Sequence, residues 1–505
     1  MLLILLGALT SLSLPPFNYV IINFFTLSIF YIFLVKKLRT NENKKIFFLY
    51  GWLFGLGYFV SNLYWISISL TFDDNFKFLI PVTIILIPGF LSLFYSLAMY
   101  FFAILKPKNN LSSFFSFSVI FAIIEFLRGS ILSGFPWNLI VYSFSNHLEI
   151  LNIISIFGTY SFNLFCISLF TSPALLILKK GKKEFGVLIT FFIIMVSFYF
   201  FGAQNFKKFN ENKINKHDFK IRIVNSNINI SRFYNDIDPV SGIEELIKIS
   251  SPPQDEKVIF IWPESIFPGI SQKELIEYKQ LFENKFNENH LLVVGINSKL
   301  NVNQTTKYYN SFSIYDHNLN LINSYNKINL VPFGEFLPLE KTLKKIGLKT
   351  ITNNYQSYSK GKKREIIEIN RGDFSLKVLP LICYEIIYSG KIFKDNNFNF
   401  IINISEDGWF GQSIGPHQHF IHSIYRAIES GKYVLRSSNN GISAIVNPLG
   451  IVEKKISINQ SGYIDFTESK KIKPTLFSQY GNKIFILIIL LYIFLIFSFN
   501  RIKNE

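Results

Sequence analysis

Residues 378–390 read VLPLICYEIIYSG, an apolar run that ends at Cys383 and is followed at once by Tyr384 and Glu385. Such a run is typical of a buried strand. The chain has only two cysteines, and the other, Cys166, lies in a long hydrophobic stretch, where a cysteine is usually an inert core residue. Cys383 differs because polar groups follow it, and loops after strands often carry functional residues. We therefore expect Cys166 to be core and Cys383 to be a candidate reactive thiol.

The composition indicates a membrane protein with a separate water-soluble part. Of the 505 residues 49% are apolar, phenylalanine occurs 56 times, and the formal net charge is +17. The apolar residues are clustered in runs that approach or exceed the roughly 20 residues needed to cross a bilayer. These runs predict eight spans, seven of them within residues 1–203: 2–14, 17–35, 46–66, 78–105, 113–131, 150–178, 185–202 and 484–500.

Lysine and arginine predict how these spans are oriented. The basic segments KKLRTNENKK, KPKNN, KKGKKE and RIKNE follow the second, fourth, sixth and eighth spans. Because basic loops stay in the cytoplasm, the long segment between the seventh and eighth spans is expected to face outward. At the end of span five, Glu125 and Arg128 lie three residues apart, and we expect them to form a solvated pair at the membrane edge.

The outward segment, residues 219–470, alternates short β-like runs with helical stretches, which is typical of a layered α/β domain. Reactive side chains follow three of these runs: Glu264 in VIFIWPES, Lys327 and Glu335 in YNKINLVPFGEF, and Cys383 in the opening segment. A carboxylate can take the proton of a thiol during attack, and an ammonium can stabilise the oxyanion that forms. Together these groups predict acyl transfer through a nucleophilic cysteine.

The motifs WPES, YNKINLVPFGEFLPL and ICYE, in this order, resemble the carbon–nitrogen hydrolase (nitrilase) superfamily. The closer resemblance is to the apolipoprotein N-acyltransferase family, the membrane-embedded branch of that superfamily, and it extends over nearly the whole chain. EFLRGSILSGFPWN is similar to that family's loop after span five, and the segment from NISEDGWFG to NPLG is similar to its C-terminal signature. The resemblance implies a multi-pass α-helical membrane bundle plus an extracytoplasmic α/β domain, a nitrilase-like αββα sandwich.

The resemblance also divides the chain and assigns roles to single residues. It implies a bundle at residues 1–203, a catalytic domain at 219–470 and the eighth span at 484–500. The chain departs from the family at Tyr234, where a tryptophan is often found, so the role of that position is open. The matched site positions are the general base Glu264, the oxyanion stabiliser Lys327, the nucleophile Cys383, and the supporting residues Glu335, Tyr384 and Glu385.

The activity implied by the resemblance is transfer of a fatty acyl chain from a phospholipid to the N-terminal amine of a diacylglyceryl-modified apolipoprotein. It implies a bacterial cytoplasmic (inner) membrane protein whose catalytic domain faces the periplasm. We expect a monomer that needs no cofactor or metal and binds no nucleic acid. Two alternatives are an anchored amidase, which would need a polar pocket, and a transporter with an inert outer domain, which would leave the clustered thiol, lysine and glutamates unexplained.

Large apolar side chains beside glycines predict a lipid entrance. VPFGEFLPL and DGWFGQSIG are too interrupted for regular strands, and their side chains would be costly to expose to water. The alternative is that these residues pack inward as domain core. The candidate entrance residues are Phe333, Phe336, Trp409 and Phe410, with Leu337 beside them.

Three histidines in PHQHFIH could suggest a metal ion. His419 and His422 share a helical face, but His417 does not, and no carboxylate in the segment completes a ligand set. We therefore expect no metal site there.

Overall fold

The computed structural model describes residues 1–505 except 41–42, 108, 235–237, 303–304, 344, 346–349, 351–356, 372–373, 393–395 and 502–505. The helices of the N-terminal part are α1 (Leu2–Ser11), α2 (Ile22–Arg39), α3 (Lys44–Leu63), α4 (Ile80–Leu105), α5 (Asn110–Arg128), α6 (Leu148–Leu151), α7 (Ile154–Thr171), α8 (Pro173–Leu178) and α9 (Lys182–Glu211). The later helices are α10 (Pro239–Ser250), α11 (Lys279–Glu283), α12 (Glu340–Leu343), α13 (Gly415–Ser430), α14 (Leu476–Tyr480) and α15 (Lys483–Arg501).

The strands all lie between α9 and α14. They are β1 (Ile214–Asn225), β2 (Val258–Ile261), β3 (His290–Val302), β4 (Thr305–Asp316), β5 (Leu321–Asn326), β6 (Ile367–Arg371), β7 (Phe374–Ile382), β8 (Phe400–Glu406), β9 (Tyr433–Asn439), β10 (Ser443–Val446), β11 (Val452–Ile456) and β12 (Gly462–Lys470).

Several helices have the length and apolar composition of membrane spans. Within the described residues there are six such segments: Lys44–Phe72, Asp74–Leu105, Asn110–Arg128, Ile154–Leu178, Lys182–Glu211 and Lys483–Arg501. They correspond to the predicted spans three to eight. The first two predicted spans correspond to α1, which has ten residues, and α2, whose last turn carries three basic side chains. The helical membrane part is therefore confirmed, and the count of eight spans stays a prediction.

The Glu125–Arg128 pair is buried inside the bundle, so the expectation of a solvated pair is wrong. Arg128 Nη2 lies 3.0 Å from Glu125 Oε1, and both side chains are fully buried. Glu125 also accepts hydrogen bonds from Tyr95 on α4 and Asn163 on α7, and Arg128 donates to the backbone carbonyl of Phe135. Packing of the neighbouring helices removes water from this end of α5, which spacing along a single helix does not reveal.

The outer domain is built on two six-stranded sheets. The first has the order β12-β1-β2-β3-β4-β5 and the second the order β11-β10-β9-β8-β7-β6. The inner strands β1, β2 and β3 of the first sheet are parallel, as are β7, β8 and β9 of the second. Apolar runs with buried residues on both faces, such as VIFI in β2, form these parallel strands because both faces of the sheet are covered.

The two sheets pack face to face, with helices on both outer surfaces. One core lies between the sheets, where Ile221 and Val293 of the first meet Ile402 and Leu435 of the second. A second core joins the first sheet to α10 and α11. A third joins the outer face of the second sheet to α13 and continues into the membrane helices. This arrangement confirms the expected αββα sandwich attached to a helical bundle.

Candidate active site

Glu264 follows β2 in a tight turn at the end of the parallel part of the first sheet. The turn is fixed by Trp262, whose Nε1–H donates to Ser250 Oγ on α10 at 2.9 Å. The turn also requires Gly295 on the adjacent β3, because a Cβ there would lie 2.4 Å from the carbonyl oxygen of Pro263. These two contacts fix the position of the turn, and with it the position of the buried Glu264 side chain relative to β3.

Lys327 follows β5 and points its ammonium at two glutamates. Its Nζ lies 3.0 Å from Glu264 Oε1 and 2.9 Å from Glu335 Oε1, and its side chain is 1% exposed. The Nδ2 of Asn310, on β4, donates to the same two carboxylate oxygens at 2.7 and 2.9 Å. One ammonium and one amide thus bridge two buried carboxylates, and a charge-assisted hydrogen bond of this kind is stronger than a neutral one.

Two hydrogen bonds between Glu335 and Val331 close the short loop of residues 331–335. Glu335 Oε2 accepts the backbone N–H of Val331 at 2.8 Å, and the Glu335 N–H donates to the carbonyl of Val331 at 2.9 Å. Burial raises the pKa of the Glu335 carboxyl, the nearby charge of Glu264 raises it further, and Lys327 opposes both. The same two carboxylates raise the pKa of Lys327 well above its usual value although burial alone would lower it. The ammonium is therefore charged at any physiological pH.

Cys383 lies at the end of β7, where a short 3-10 helix, Cys383–Ile387, begins. Its φ is +47°, a left-handed conformation that costs energy for a residue with a Cβ. Burial raises the pKa of the Cys383 thiol well above its usual value; the charge of Glu264 adds to this and that of Lys327 opposes it. The charges of Glu264 and Lys327 therefore both act on the Cys383 thiol, in opposite directions.

Glu385 connects the Cys383 turn to the backbone after Lys327. Its Oε2 accepts the N–H of Ile382 at 3.0 Å, and its Oε1 accepts the N–H groups of Ile328 and Asn329 at 3.0 and 3.1 Å. Tyr325 and Arg364 also donate to Oε1 at 2.8 Å each. The fully buried carboxylate fixes the two turns relative to each other.

Tyr384 joins the Cys383 turn to the membrane bundle. Its hydroxyl donates to the carbonyl of Gly134 at 2.7 Å, and the hydroxyl of Tyr388 donates to the carbonyl of Ser133 at 2.8 Å. Both acceptors belong to the loop after α5, which the buried Arg128 holds through Phe135. The segment EFLRGSILSGFPWN therefore forms the surface on which the Cys383 turn rests.

The candidate entrance residues lie in two segments, residues 331–339 and 407–415, and they differ in exposure. Phe333, with 48% exposure, is exposed, whereas Phe336 is half-buried and Leu337 is buried. The half-buried Trp409 contacts Phe72, Phe233 and Tyr234, and Phe410 contacts Trp65, Trp137 and His419. Leu337 is thus domain core, and the four proposed entrance residues remain a prediction.

The three histidines lie on α13 in different surroundings. His419 Nδ1 lies 2.8 Å from Asp407 Oδ1, and its ring stacks on Trp137. His422 packs against Trp137 and Tyr142. Burial lowers the pKa of both rings, and Asp407 opposes this for His419. Within the described residues no three histidine, cysteine or acidic side chains are grouped to hold a metal ion.

The sequence alone did not identify Asn310, whose side-chain amide bridges the carboxylates of Glu264 and Glu335. One feature of the sequence did point to it: Asn310 is a polar residue in the middle of the β-like run YYNSFSIYD. A polar side chain that is buried in a strand needs hydrogen-bond partners. A single sequence could not show what Asn310 meets, because Glu264 and Glu335 approach it from other parts of the chain. The expected Cys166 core position is confirmed, since that side chain is fully buried.

Comparisons with known proteins agree over nearly the whole chain. A family model described as the apolipoprotein N-acyltransferase N-terminal domain matches residues 6–172, and one described as carbon-nitrogen hydrolase matches residues 243–467. The chain is 31% identical to the apolipoprotein N-acyltransferase of Rickettsia prowazekii (strain Madrid E) over 509 residues, covering 99% of this chain and 98% of the relative. It is 30% identical to that of Rhodopseudomonas palustris over 495 residues, covering 95% and 91%.

Among solved structures the chain is similar to Saccharomyces cerevisiae Nit3 of the nitrilase superfamily, at 17% identity and a TM-score of 0.34, covering 49% of this chain and 90% of Nit3. That score is too low to carry a conclusion. The family assignment rests instead on the two family models and the full-length relatives. The chain belongs to the apolipoprotein N-acyltransferase family.

Proposed function

We propose that this protein transfers a fatty acyl chain from a membrane phospholipid to the N-terminal amine of a diacylglyceryl-modified apolipoprotein, through a thioester on Cys383. Family membership supports the reaction class, and the long apolar helices support substrates that arrive from a membrane. The observation that carries the proposal is the group formed by Glu264, Lys327 and Cys383, which supplies a base, a cation and a nucleophile for acyl transfer.

In the first half-reaction Cys383 takes the acyl group. Glu264 accepts the thiol proton as the sulfur attacks the ester carbonyl of the phospholipid. The oxyanion of the tetrahedral intermediate develops beside the Lys327 ammonium, where a fixed charge in a buried site stabilises it most. When the C–O bond breaks, the leaving alkoxide takes the proton from Glu264 and departs as a lysophospholipid. The products are an acyl thioester and a carboxylate ready for a second cycle.

In the second half-reaction the apolipoprotein amine takes the acyl group. The α-amine attacks the thioester carbonyl, Glu264 accepts a proton from the attacking nitrogen, and Lys327 again stabilises the oxyanion. The C–S bond breaks, the proton returns to the sulfur, and an amide is released. Because an amide is more stable than a thioester, this step drives the sequence forward.

The catalytic domain is proposed to lie on the periplasmic side of the bacterial inner membrane. The proposal is supported by the basic segments after alternate spans, because basic loops favour the cytoplasmic side and the segment between α9 and α15 would then face outward.

The experiment is mass measurement of the intact protein after incubation with phospholipid alone. We expect one added acyl group on Cys383, released as an amide when a diacylglyceryl peptide is added. Cys383→Ala should take no acyl group, and Cys383→Ser should take little, because a hydroxyl is far less acidic than a thiol. Acylation of the alanine variant, or release of the acyl group only as a free fatty acid, would contradict the proposal; the latter result would favour a hydrolase.

A further inference from the structure

A buried ion pair outside the proposed catalytic group lies directly behind Glu264. Arg232 Nη2 contacts Glu406 Oε2, and the two side chains are 4% and 1% exposed. Arg232 comes from the short 3-10 helix Ile230–Phe233 after β1, and Glu406 is the last residue of β8. The pair therefore joins the first sheet to the second at the edge where the parallel strands of both sheets end.

Each member of the pair contacts the turn that carries Glu264: Glu406 bonds to the Glu264 side chain, and Arg232 bonds to the backbone of the next residue, Ser265. The N–H of Glu406 donates to Glu264 Oε2 at 2.9 Å, which is the carboxylate oxygen that Lys327 does not contact. Arg232 Nη2 lies 3.4 Å from the carbonyl of Ser265, the residue after the base. Ser265 has a φ of +46°, so the turn that carries Glu264 is held in a conformation that needs outside support.

Besides Arg232, a backbone N–H and a side-chain amide donate hydrogen bonds to the Glu406 carboxylate. Its Oε1 accepts the N–H of Gly408 at 2.8 Å, and its Oε2 accepts Asn439 Nδ2 at 2.8 Å. Burial raises the pKa of the Glu406 carboxyl, and Arg232 opposes this. A buried carboxylate and guanidinium carry a large desolvation cost, and one of them alone would be strongly destabilising. If these two positions served only to pack the core, apolar side chains would stabilise it at least as well as the ion pair.

We propose that Arg232 and Glu406 form a positioning pair that aligns the Glu264 carboxylate toward the Cys383 thiol. The inference rests on the proposed function, because it takes Glu264 to be the base. Lys327 and Asn310 fix one oxygen of that carboxylate, and the Glu406 N–H fixes the other. The orientation of the Glu406 peptide depends on a side chain that is locked by Arg232. Loss of the pair should loosen the second oxygen and slow proton transfer without weakening lipid binding.

The test compares acylation rates and phospholipid KM in variants of the full-length protein. Glu406→Gln keeps the size of the side chain and removes its charge, and we expect the maximal rate of Cys383 acylation to fall by about 10- to 100-fold at unchanged KM. Arg232→Lys, which keeps the cation, should retain more of the rate than Arg232→Met. The matched control is Asp465→Asn, because Asp465 forms a partly buried pair with Arg222 at 2.7 Å on β12 and β1, and it should leave the rate unchanged.

The double variant Arg232→Met with Glu406→Gln separates positioning from stability. It contains no unpaired buried charge, so its thermal stability should recover relative to Glu406→Gln while the acylation rate stays low. Recovery of the rate together with stability would overturn the inference, as would a wild-type rate in Glu406→Gln or a defect confined to KM. If the wild-type protein itself forms no acyl-Cys383, the proposed function fails, a result distinct from all of these.

Discussion

Replacing Lys327 by methionine should change both the stability and the chemistry of the site. The substitution keeps most of the length of the side chain and removes the cation that lies 3.0 Å from Glu264 and 2.9 Å from Glu335. Among the described residues, the amide of Asn310 would then be left to bridge the two buried carboxylates. Breaking a buried ion pair from one side costs about 3–5 kcal/mol, because the remaining charge is left uncompensated.

That cost converts into a measurable melting shift. A domain of 150–250 residues loses about 2–4 °C in Tm per kcal/mol, so Lys327→Met should melt about 6–20 °C lower. The loss should grow with pH. Burial and Glu264 raise the pKa of Glu335, and without Lys327 nothing as strong opposes them. A carboxyl whose folded pKa lies above its unfolded value contributes stability below about pH 4 that is lost as the pH rises toward the folded pKa.

The assay is tryptophan-fluorescence melting in detergent micelles from pH 4 to pH 8, with acylation of Cys383 measured in parallel. The matched control is Lys299→Met, because Lys299 forms a largely exposed pair with Glu274, and such pairs contribute about 0–1 kcal/mol. Adding Glu335→Gln to Lys327→Met removes one of the two like charges and should restore much of the Tm. Acylation should stay about 10²- to 10³-fold low in both variants, since neither has the ammonium.

The reasoning is refuted if Lys327→Met melts no lower than Lys299→Met. It is also refuted if the double variant melts no higher than Lys327→Met, because the clash of two buried carboxylates would then not be the cause.

Three further predictions concern the base, the orientation and the lipid entrance. Glu264→Gln should slow formation of the acyl-enzyme by about 10²- to 10⁴-fold; formation at the wild-type rate would mean that another group is the base. A cysteine introduced into residues 179–184 should be shielded from an impermeant thiol reagent in intact cells and one at Asn301 should react, and the reverse pattern would overturn the orientation. Trp409→Ser with Phe336→Ser should slow acylation by phospholipid but not by a small soluble thioester, with little change in Tm; equal loss of both reactions, or unfolding, would make these aromatics core.

Much of the architecture follows from local patterns in the sequence. Hydrophobic runs predicted the membrane helices because bilayer thickness sets the length of each apolar segment separately. The apolar runs of the outer domain also form strands: VIFI forms β2, and VLPLI forms the second half of β7. The motif segments likewise contain the residues that meet at the site, because a short turn after a strand fixes where its side chains go.

What only the tertiary structure decided is which groups lose contact with water and what they meet there. Spacing suggested that Glu125 and Arg128 lie at a wet membrane edge, yet helices from elsewhere in the chain enclose them. Lys327 and Glu335 are eight residues apart, but the oxygen of Glu264 that completes their group lies 63 residues away. Sequence alone determines local conformation and the chemical type of each residue. Burial and charge pairing depend on contacts between distant segments, so they are fixed only when the sheets and the bundle come together.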